Sequence, residues 1–328
     1  MQNRQNALKQ WVQDTLKQPQ VSLLPLTGDA SFRCYYRLYN GSTSYIVMDC
    51  PPDKETLRPF LDIGHLLQNN AVLTPTVHAF DEQHGFALLA DFGDTLLLAK
   101  LLDTNTNAEE TDRLYIKALT TLTHVQQCHL NTAYPLPVFD KLHMHNELTL
   151  FKTWYLENYL KRQLTPDETK LIEKTCHWLA EEISQLPYVF IHRDYHSRNI
   201  MLLDNSLGII DFQDGMLGPL SYDLVSLLKD CYIQWPTEQV MHWLNLFYER
   251  SEVAQQLPLP AFKRAFDLCG LQRHLKVLGI FSRLFLRDNK PNYLTDLPLT
   301  RHYVMACLES YPELHLFYDF MAQRGQLP

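Results

Sequence analysis

The chain has 328 residues, 46% of them hydrophobic, with a formal net charge of -8 and no block of Lys or Arg. That length accommodates two packed lobes with a large core, and the acidic balance argues against a nucleic-acid surface. No apolar run approaches a bilayer span, the N-terminal MQNRQNALKQW lacks the core of a signal peptide, and seven cysteines without a C-x-x-C pair suit a reducing cytoplasm, so no membrane partner is expected.

Gln5 to Leu16 read as a short amphipathic helix, after which Leu23 to Leu38 alternate between turn residues and strand-like runs. Thr27-Gly28-Asp29-Ala30-Ser31 is a turn of small residues whose backbone N–H groups suit either an ordinary hairpin or a phosphate cradle. Period two puts Arg33, Tyr35 and Arg37 on one face of the run that follows. Ser44 to Asp49 is the next strand, and Lys54 to Asn70 reads as a helix with an apolar side.

Phe86 to Leu89 is an apolar strand entering Ala90-Asp91-Phe92-Gly93, an interlobe connection. Helical periodicity then dominates. Glu109 to Cys128 is one long helix, Tyr134-Pro135-Leu136-Pro137 breaks it, and Leu148 to Leu160 resumes with bulky aromatics. Thr165 as N-cap, Pro166 in the first turn and Glu168 as capping-box partner predict a helix running to about Gln185. His143-Met144-His145 and the pair His192 and His196 lack the further ligands of a zinc site.

The densest stretch is Phe190 to Phe212, FIHRDYHSRNIMLLDNSLGIIDF. His192-Arg193-Asp194, four residues and then Asn199 reproduce the H-R-D-x-x-x-x-N spacing of a kinase catalytic loop. Ile200 to Leu203, a turn at Asp204-Asn205, and Leu207 to Ile210 make a hairpin ending on Asp211. Transfer from ATP needs a carboxylate for the acceptor's proton and oxygen ligands for Mg2+; Asp194 suits the first, Asn199 and Asp211 the second. Asp214 either adds a carboxylate near the metal or holds its own loop, and Asp223 suits the N-cap of a helix from Leu224 to Tyr232. The Asp91-Phe92-Gly93 triplet spells the kinase metal motif but stands about a hundred residues before the loop, where kinases carry it after.

With Ile210-Asp211-Phe212-Gln213-Asp214, Gly218-Pro219 and Tyr222-Asp223-Leu224, the chain resembles the aminoglycoside phosphotransferase and choline kinase branch of the kinase-like fold. FIHRDYHSRN, Leu26-Thr27-Gly28-Asp29-Ala30-Ser31-Phe32-Arg33 and Val47-Met48-Asp49 before Pro51-Pro52 are most similar to the bacterial anomeric kinases of N-acetylmuramate and N-acetylglucosamine. The resemblance implies an α+β, bilobal protein-kinase-like fold: a small N-terminal lobe of antiparallel sheet plus helix at 1–92 that binds nucleotide, and a larger, mainly helical lobe at 93–328 for catalysis and substrate. It also implies an adenine hinge through backbone groups at Ala90 to Phe92, phosphate contacts at Gly28, Ala30, Ser31 and Arg33, and a buttressing role for Asp223.

Two features qualify the kinase pattern. Met48-Asp49 stands where kinases offer a phosphate-pairing Lys on the third strand, so another cation, Arg33 first and Lys54 second, is expected to serve, or the protein is a nucleotide-binding pseudokinase. Arg273, Lys276, Arg283 and Arg287 recur at helical spacing, as a solvated face or as a surface recognising an anionic acceptor. His196, Arg198, Arg273 and Arg287 are the candidate acceptor contacts, and Arg suits the lactyl carboxylate of N-acetylmuramate. The expected activity is phosphorylation of that amino sugar, and of N-acetylglucosamine, at the anomeric hydroxyl, in peptidoglycan recycling. An aminoglycoside phosphotransferase is the alternative enzyme.

Overall fold

A computed structural model describes residues 2–26, 32–128, 134–204 and 206–327. By packing, the chain forms two compact units: Met1–Leu97 with Asn199–Asp214, and Leu98–Arg198 with Gly215–Pro328.

The first unit begins with helix α1 (Gln2–Leu16), followed by strands β1 (Leu24–Leu26), β2 (Cys34–Asn40) and β3 (Thr43–Asp49). Helix α2 (Arg58–Asn69) and strands β4 (Val77–Asp81) and β5 (Phe86–Ala90) complete an antiparallel sheet in the order β1-β2-β3-β5-β4. Leu8 and Val12 of α1 pack with Leu38, Val47, Phe86 and Leu88 on one sheet face. The register Tyr35↔Met48 and Arg37↔Ile46 puts those residues on the opposite face.

Helix α2 starts four residues later than its apolar pattern predicts. The N–H groups of Lys54 and Glu55 both donate to the Pro51 carbonyl, closing a turn first. Pro59, which has no N–H to give, then fits the first helical turn.

The mainly helical unit carries α3 (Leu97–Leu101), α4 (Ala108–Gln127) and α5 (Lys141–Leu150), then Phe151–Tyr159, which winds as a π-helix, and α6 (Pro166–Ser184). Thr165 and Glu168 form the expected capping box. The aromatic segment read as resuming at Leu148 begins earlier, because Asp140 accepts the His143 N–H and caps α5. Strand β6 (Tyr188–Ile191) leads to the loop at 192–198; hairpin β7 (Ile200–Leu202) and β8 (Leu207–Ile209) belongs to the first unit; β9 (Met216–Pro219) pairs back with β6. Helices α7 (Tyr222–Leu228), α8 (Thr237–Arg250), α9 (Leu259–Leu286), α10 (Leu297–Ser310) and α11 (His315–Arg324) complete the chain.

Helix α9 is buried without interruption from Leu268 to Gly279, and that stretch includes Gln272, Arg273, His274 and Lys276. Four polar side chains inside a core require partners, and those partners build the site.

Candidate active site

In the helical unit, the loop after β6 is pinned at both ends by buried carboxylates. Asp223 accepts the N–H of His192 at 2.6 Å and of Arg193 at 3.0 Å, and Arg193 takes a left-handed φ of +74° there. The helix it was read as capping is instead entered through Ser221, without a side-chain cap, and Asp223 turns to the loop from the first turn of α7. That helix stops at Leu228, not Tyr232, where Asp230 turns its carboxylate to the loop's far end. Asp230 accepts the Ser197 N–H at 3.0 Å and hydroxyl at 2.5 Å, and also the Tyr232 N–H at 3.1 Å.

Glu147 of α5 is the hub beneath the loop. It accepts from Arg193 at 2.7 Å and Lys276 at 3.0 Å through one oxygen, and from Gln272 at 3.1 Å through the other. Lys276 also reaches the Tyr222 hydroxyl at 3.2 Å. Burial raises the Glu147 carboxyl, but Lys276 and Arg193 outweigh it and leave the group below the usual carboxylate range.

Asp194 lies in the same field. Burial alone would raise its carboxyl; Lys276, His196, Arg273 and Arg193 together hold it well below the ordinary range. His196 is lowered by its own burial, and its Nδ1 has no hydrogen-bond partner among the described residues. Arg198 stacks on Tyr232, with Cζ 3.6 Å from the ring centroid.

The basic stripe resolves into two parts. Arg273 and Lys276 are 4% and 6% exposed and belong to the Asp194 environment. Arg273 donates to the soft Cys231 Sγ at 3.7 Å. Arg287 is separate: it is the C-cap residue, exposed and paired with Asp288 at 2.7 Å, fourteen positions and roughly 21 Å of helix beyond Arg273. The structure does not bring Arg287 to the acceptor contacts named with it, because a shared helix face says nothing of distance along the axis.

In the first unit, the register Ile200↔Ile209 and the Ile210 N–H on the Asn199 carbonyl close the base of the hairpin, so Asn199 and Asp211 stand at the same end. Asp211 has a φ of +62°, sparsely populated for a residue with a Cβ and typical of functional positions. Phe212 stacks on Phe60 of α2 with centroids 4.9 Å apart, and Gly64 leaves room for that ring. Gln213, standing where protein kinases have Gly, donates its amide to Asp211 at 2.9 Å and Asp214 at 3.3 Å, while its buried Oε1 has no partner among the described residues.

Arg33 is buried against Glu55 at 2.8 Å, whereas Lys54 is exposed beside Asp53 at 3.6 Å. Gly28, Ala30 and Ser31 lie outside the described residues. At the connection after β5, the Ala90 N–H is already bonded to the Thr76 carbonyl at 2.8 Å, and Phe92 is half-buried. Arg37 clamps this segment, bonding Asp91, Asp94 and the Gly93 carbonyl.

The oxygen donors of Asp211 and Asn199 are the hard ligands Mg2+ takes, and no group of three or more His, Cys, Asp or Glu suited to a metal occurs among the described residues. Mg2+ ordinarily uses one or two carboxylates with water and substrate phosphates, so this sparse set fits it. Glu147 and Asp230 were not singled out from the sequence, where each is a lone polar residue with no spacing signal, and Gln213 was noted only for standing where protein kinases have Gly.

The profile described as the phosphotransferase enzyme family matches residues 22–261. The N-acetylmuramate/N-acetylglucosamine kinase of Pseudomonas aeruginosa is 38% identical over 94% of this chain and 90% of its own. The protein of that name from Neisseria meningitidis serogroup B is 35% identical over 98% and 96%. Among solved structures, the choline kinase LicA from Streptococcus pneumoniae matches with a TM-score of 0.65 at 13% identity, over 93% of this chain and 99% of that one. The ADP-bound aminoglycoside phosphotransferase APH(2'')-Ib gives 0.62 at 17%, over 90% and 96%. These likenesses establish the α+β kinase-like fold: an antiparallel five-stranded sheet followed by a mainly helical part.

Proposed function

The chain belongs to the phosphotransferase enzyme family, and from that premise we propose that it is an ATP-dependent kinase of N-acetylmuramate and N-acetylglucosamine. The acceptor is the one named for its relatives at 38% and 35% identity over nearly their full length. One observation carries the chemistry: Asp194 sits on a loop fixed by Asp223 and Asp230, ionised by Lys276, His196, Arg273 and Arg193.

In this reading Asp194 accepts a hydrogen bond from the anomeric hydroxyl, orients its lone pair and takes its proton late, since so acidic a carboxyl is a weak base until the oxygen has bonded to phosphorus. Asn199 and Asp211 hold Mg2+, which when bound offsets charge on the phosphates. Gln213 keeps Asp211 and Asp214 adjacent by donating to both. Residues 1–92 serve the nucleotide and 93–328 catalysis and the acceptor, with 199–214 packed in the first unit. Gly28, Ala30 and Ser31 remain proposed phosphate contacts. At Ala90–Phe92 an adenine edge would be read by groups other than the Ala90 N–H, which Thr76 occupies. His196, Arg198 and Arg273 are proposed to face the sugar.

Cations at Arg273 and Lys276 disfavour a polycationic aminoglycoside. Seven free thiols, six of them buried, and the need for ATP suit the cytoplasm, and the sugar 1-phosphate product suits recycling of peptidoglycan. No helix among the described residues is long and apolar enough to cross a membrane.

The test is ADP release with N-acetylmuramate, N-acetylglucosamine, kanamycin and choline, against an Asp194→Ala control, with 31P NMR of the product. Turnover of the two amino sugars to a 1-phosphate, lost by at least about 100-fold in the control, is expected. Release no greater than the control's with either sugar would replace this reading by a nucleotide-binding pseudokinase.

A further inference from the structure

Helix α5 does not need a carboxylate at position 147 in order to pack. Met144, Leu148 and Phe151 surround that position along the chain, are each at most 1% exposed, and anchor the segment in the core. A buried acid with two cations adds little stability over apolar residues of similar volume, so Glu147 calls for another reason. We propose that Glu147 is a positioning residue for the transfer step: it holds the Lys276 ammonium and the Arg193 guanidinium in fixed places beside Asp194. The proposal deepens the kinase reading above and rests on it.

Three elements of the helical unit meet α5 at this carboxylate. Oε1 accepts from Arg193 Nη2 of the loop at 2.7 Å and from Lys276 Nζ of α9 at 3.0 Å. Oε2 accepts from Gln272 Nε2, one turn before Lys276, at 3.1 Å. Donors on both oxygens fix the carboxylate's orientation, and with it the two cations. Tyr222 of α7 adds its hydroxyl to Lys276 at 3.2 Å. Asp223 meanwhile accepts the Arg193 N–H at 3.0 Å, so backbone and side chain of the residue before Asp194 are each held by a separate carboxylate.

The groups facing Lys276 are Glu147 from α5, Tyr222 from α7, and Asp194 and Arg193 from the loop. Burial presses the ammonium to give up its proton; Glu147 first, then Tyr222 and Asp194, hold it on and raise it above its ordinary value, with Arg193 opposing. Burial likewise raises the Asp194 carboxyl, and Lys276 is the strongest charge against that rise. Without the charge at 147, burial acts on Lys276 with one carboxylate fewer, and the ammonium titrates in the alkaline range.

The test measures kcat, KM for ATP and Tm, with N-acetylglucosamine as acceptor, in Glu147→Gln, Glu147→Asp, Lys276→Met and Glu147→Gln/Lys276→Met. Titration of ε-13C-labelled lysine by NMR, assigned through Lys276→Met, follows the ammonium itself. Glu147→Gln is expected to lower kcat about tenfold near neutrality, to leave KM for ATP within about twofold, and to add an alkaline limb between about pH 8 and 10 that the wild type lacks. The Lys276 signal titrates with that limb. Glu147→Asp keeps the charge, recovers part of kcat and shows no such limb, and the double variant loses the limb because its titrating group is gone. A lowered Tm with unchanged kcat and pH profile in Glu147→Gln, or a Lys276 signal that titrates as in the wild type, overturns the proposal. If Glu147→Gln does not fold, Glu147→Asp decides: kcat equal to that of the wild type overturns it. A chain that turns over kanamycin or choline instead of an amino sugar sinks the substrate reading alone, and the same measurements with that acceptor decide this one; a chain that turns over none of them sinks both.

Discussion

Asp194 on the loop and Asp223 beneath it on α7 are both buried acids, yet their environments separate them by sign. Burial dominates at Asp223 and raises its carboxyl to about 6, against the pull of His192 and the two backbone N–H groups; at Asp194 the neighbouring Lys276, His196, Arg273 and Arg193 win over burial. The acid limb of kcat is therefore expected near pH 6 and to belong to Asp223, whose protonation removes an acceptor from the loop, whereas Asp194 stays ionised throughout that range. Asp223→Asn should lower kcat by about tenfold or more and abolish the limb; a limb that persists in that variant would assign it elsewhere. The stability sign is opposite. A raised folded pKa means that the native state binds the proton more tightly, so this group's contribution is full below its ordinary pKa and is lost as pH rises towards 6.

Arg273 has its own expectation: Arg273→Ala should raise KM for N-acetylmuramate about tenfold more than for N-acetylglucosamine, roughly 1.4 kcal/mol, and equal effects would remove the carboxylate contact. Asp194, Asn199 and Asp211 could be proposed from the sequence because kinase chemistry fixes such a spacing along one short segment. Glu147 and Asp230 could not, since their partners lie as far off as Lys276 and Ser197 and only folding supplies the pairing.

Among the elements, the largest departure from sequence expectation is α9 with the π-helix it packs beside. An amphipathic pattern assumes one wet face, and α9 has none from Leu268 to Gly279, so of the two readings of its basic stripe, a solvated face or a surface for an anionic acceptor, the solvated face fails at Arg273 and Lys276, which are core. The close approach is at Gly279, where an added Cβ would lie 2.4 Å from the Leu150 backbone carbon and 2.5 Å from its oxygen. Helix propensity favours Gly279→Ala by about 1 kcal/mol. Overpacking against backbone, which cannot swing aside as a side chain does, opposes it by roughly 1–3 kcal/mol or more. Destabilisation is expected, read as a lower Tm; a raised Tm would mean that the π-helix yields. The capping box at Thr165 and the hairpin at Asp204 were readable because their signals are local.

For the molecule as a whole, the compact units are not contiguous in sequence, and a reading along the chain marks boundaries as points. The hairpin at 199–214 contributes to the first unit what 1–97 lacks: its Ile209 N–H meets the Leu73 carbonyl, its Leu202 N–H meets Thr95, and Phe212 covers Phe60. A fragment of residues 1–97 would leave those carbonyls without their donors and the Phe60 ring without its stack, removing hydrogen bonds worth about 1 kcal/mol each and a buried aromatic worth about 2 kcal/mol. That is a large part of the margin of a small domain. The bridge between Leu96 and Met201 shows that the two ends run side by side, so a short glycine linker can join 97 to 199 without spanning a distance. The joined fragment is expected to melt cooperatively with dispersed amide signals in NMR spectra, and 1–97 alone to do neither. Cooperative melting of 1–97 by itself would show that the sheet and α2 stand without the segment bearing Asn199 and Asp211, leaving that segment's packing with a role in placing those two side chains and none in holding the unit together.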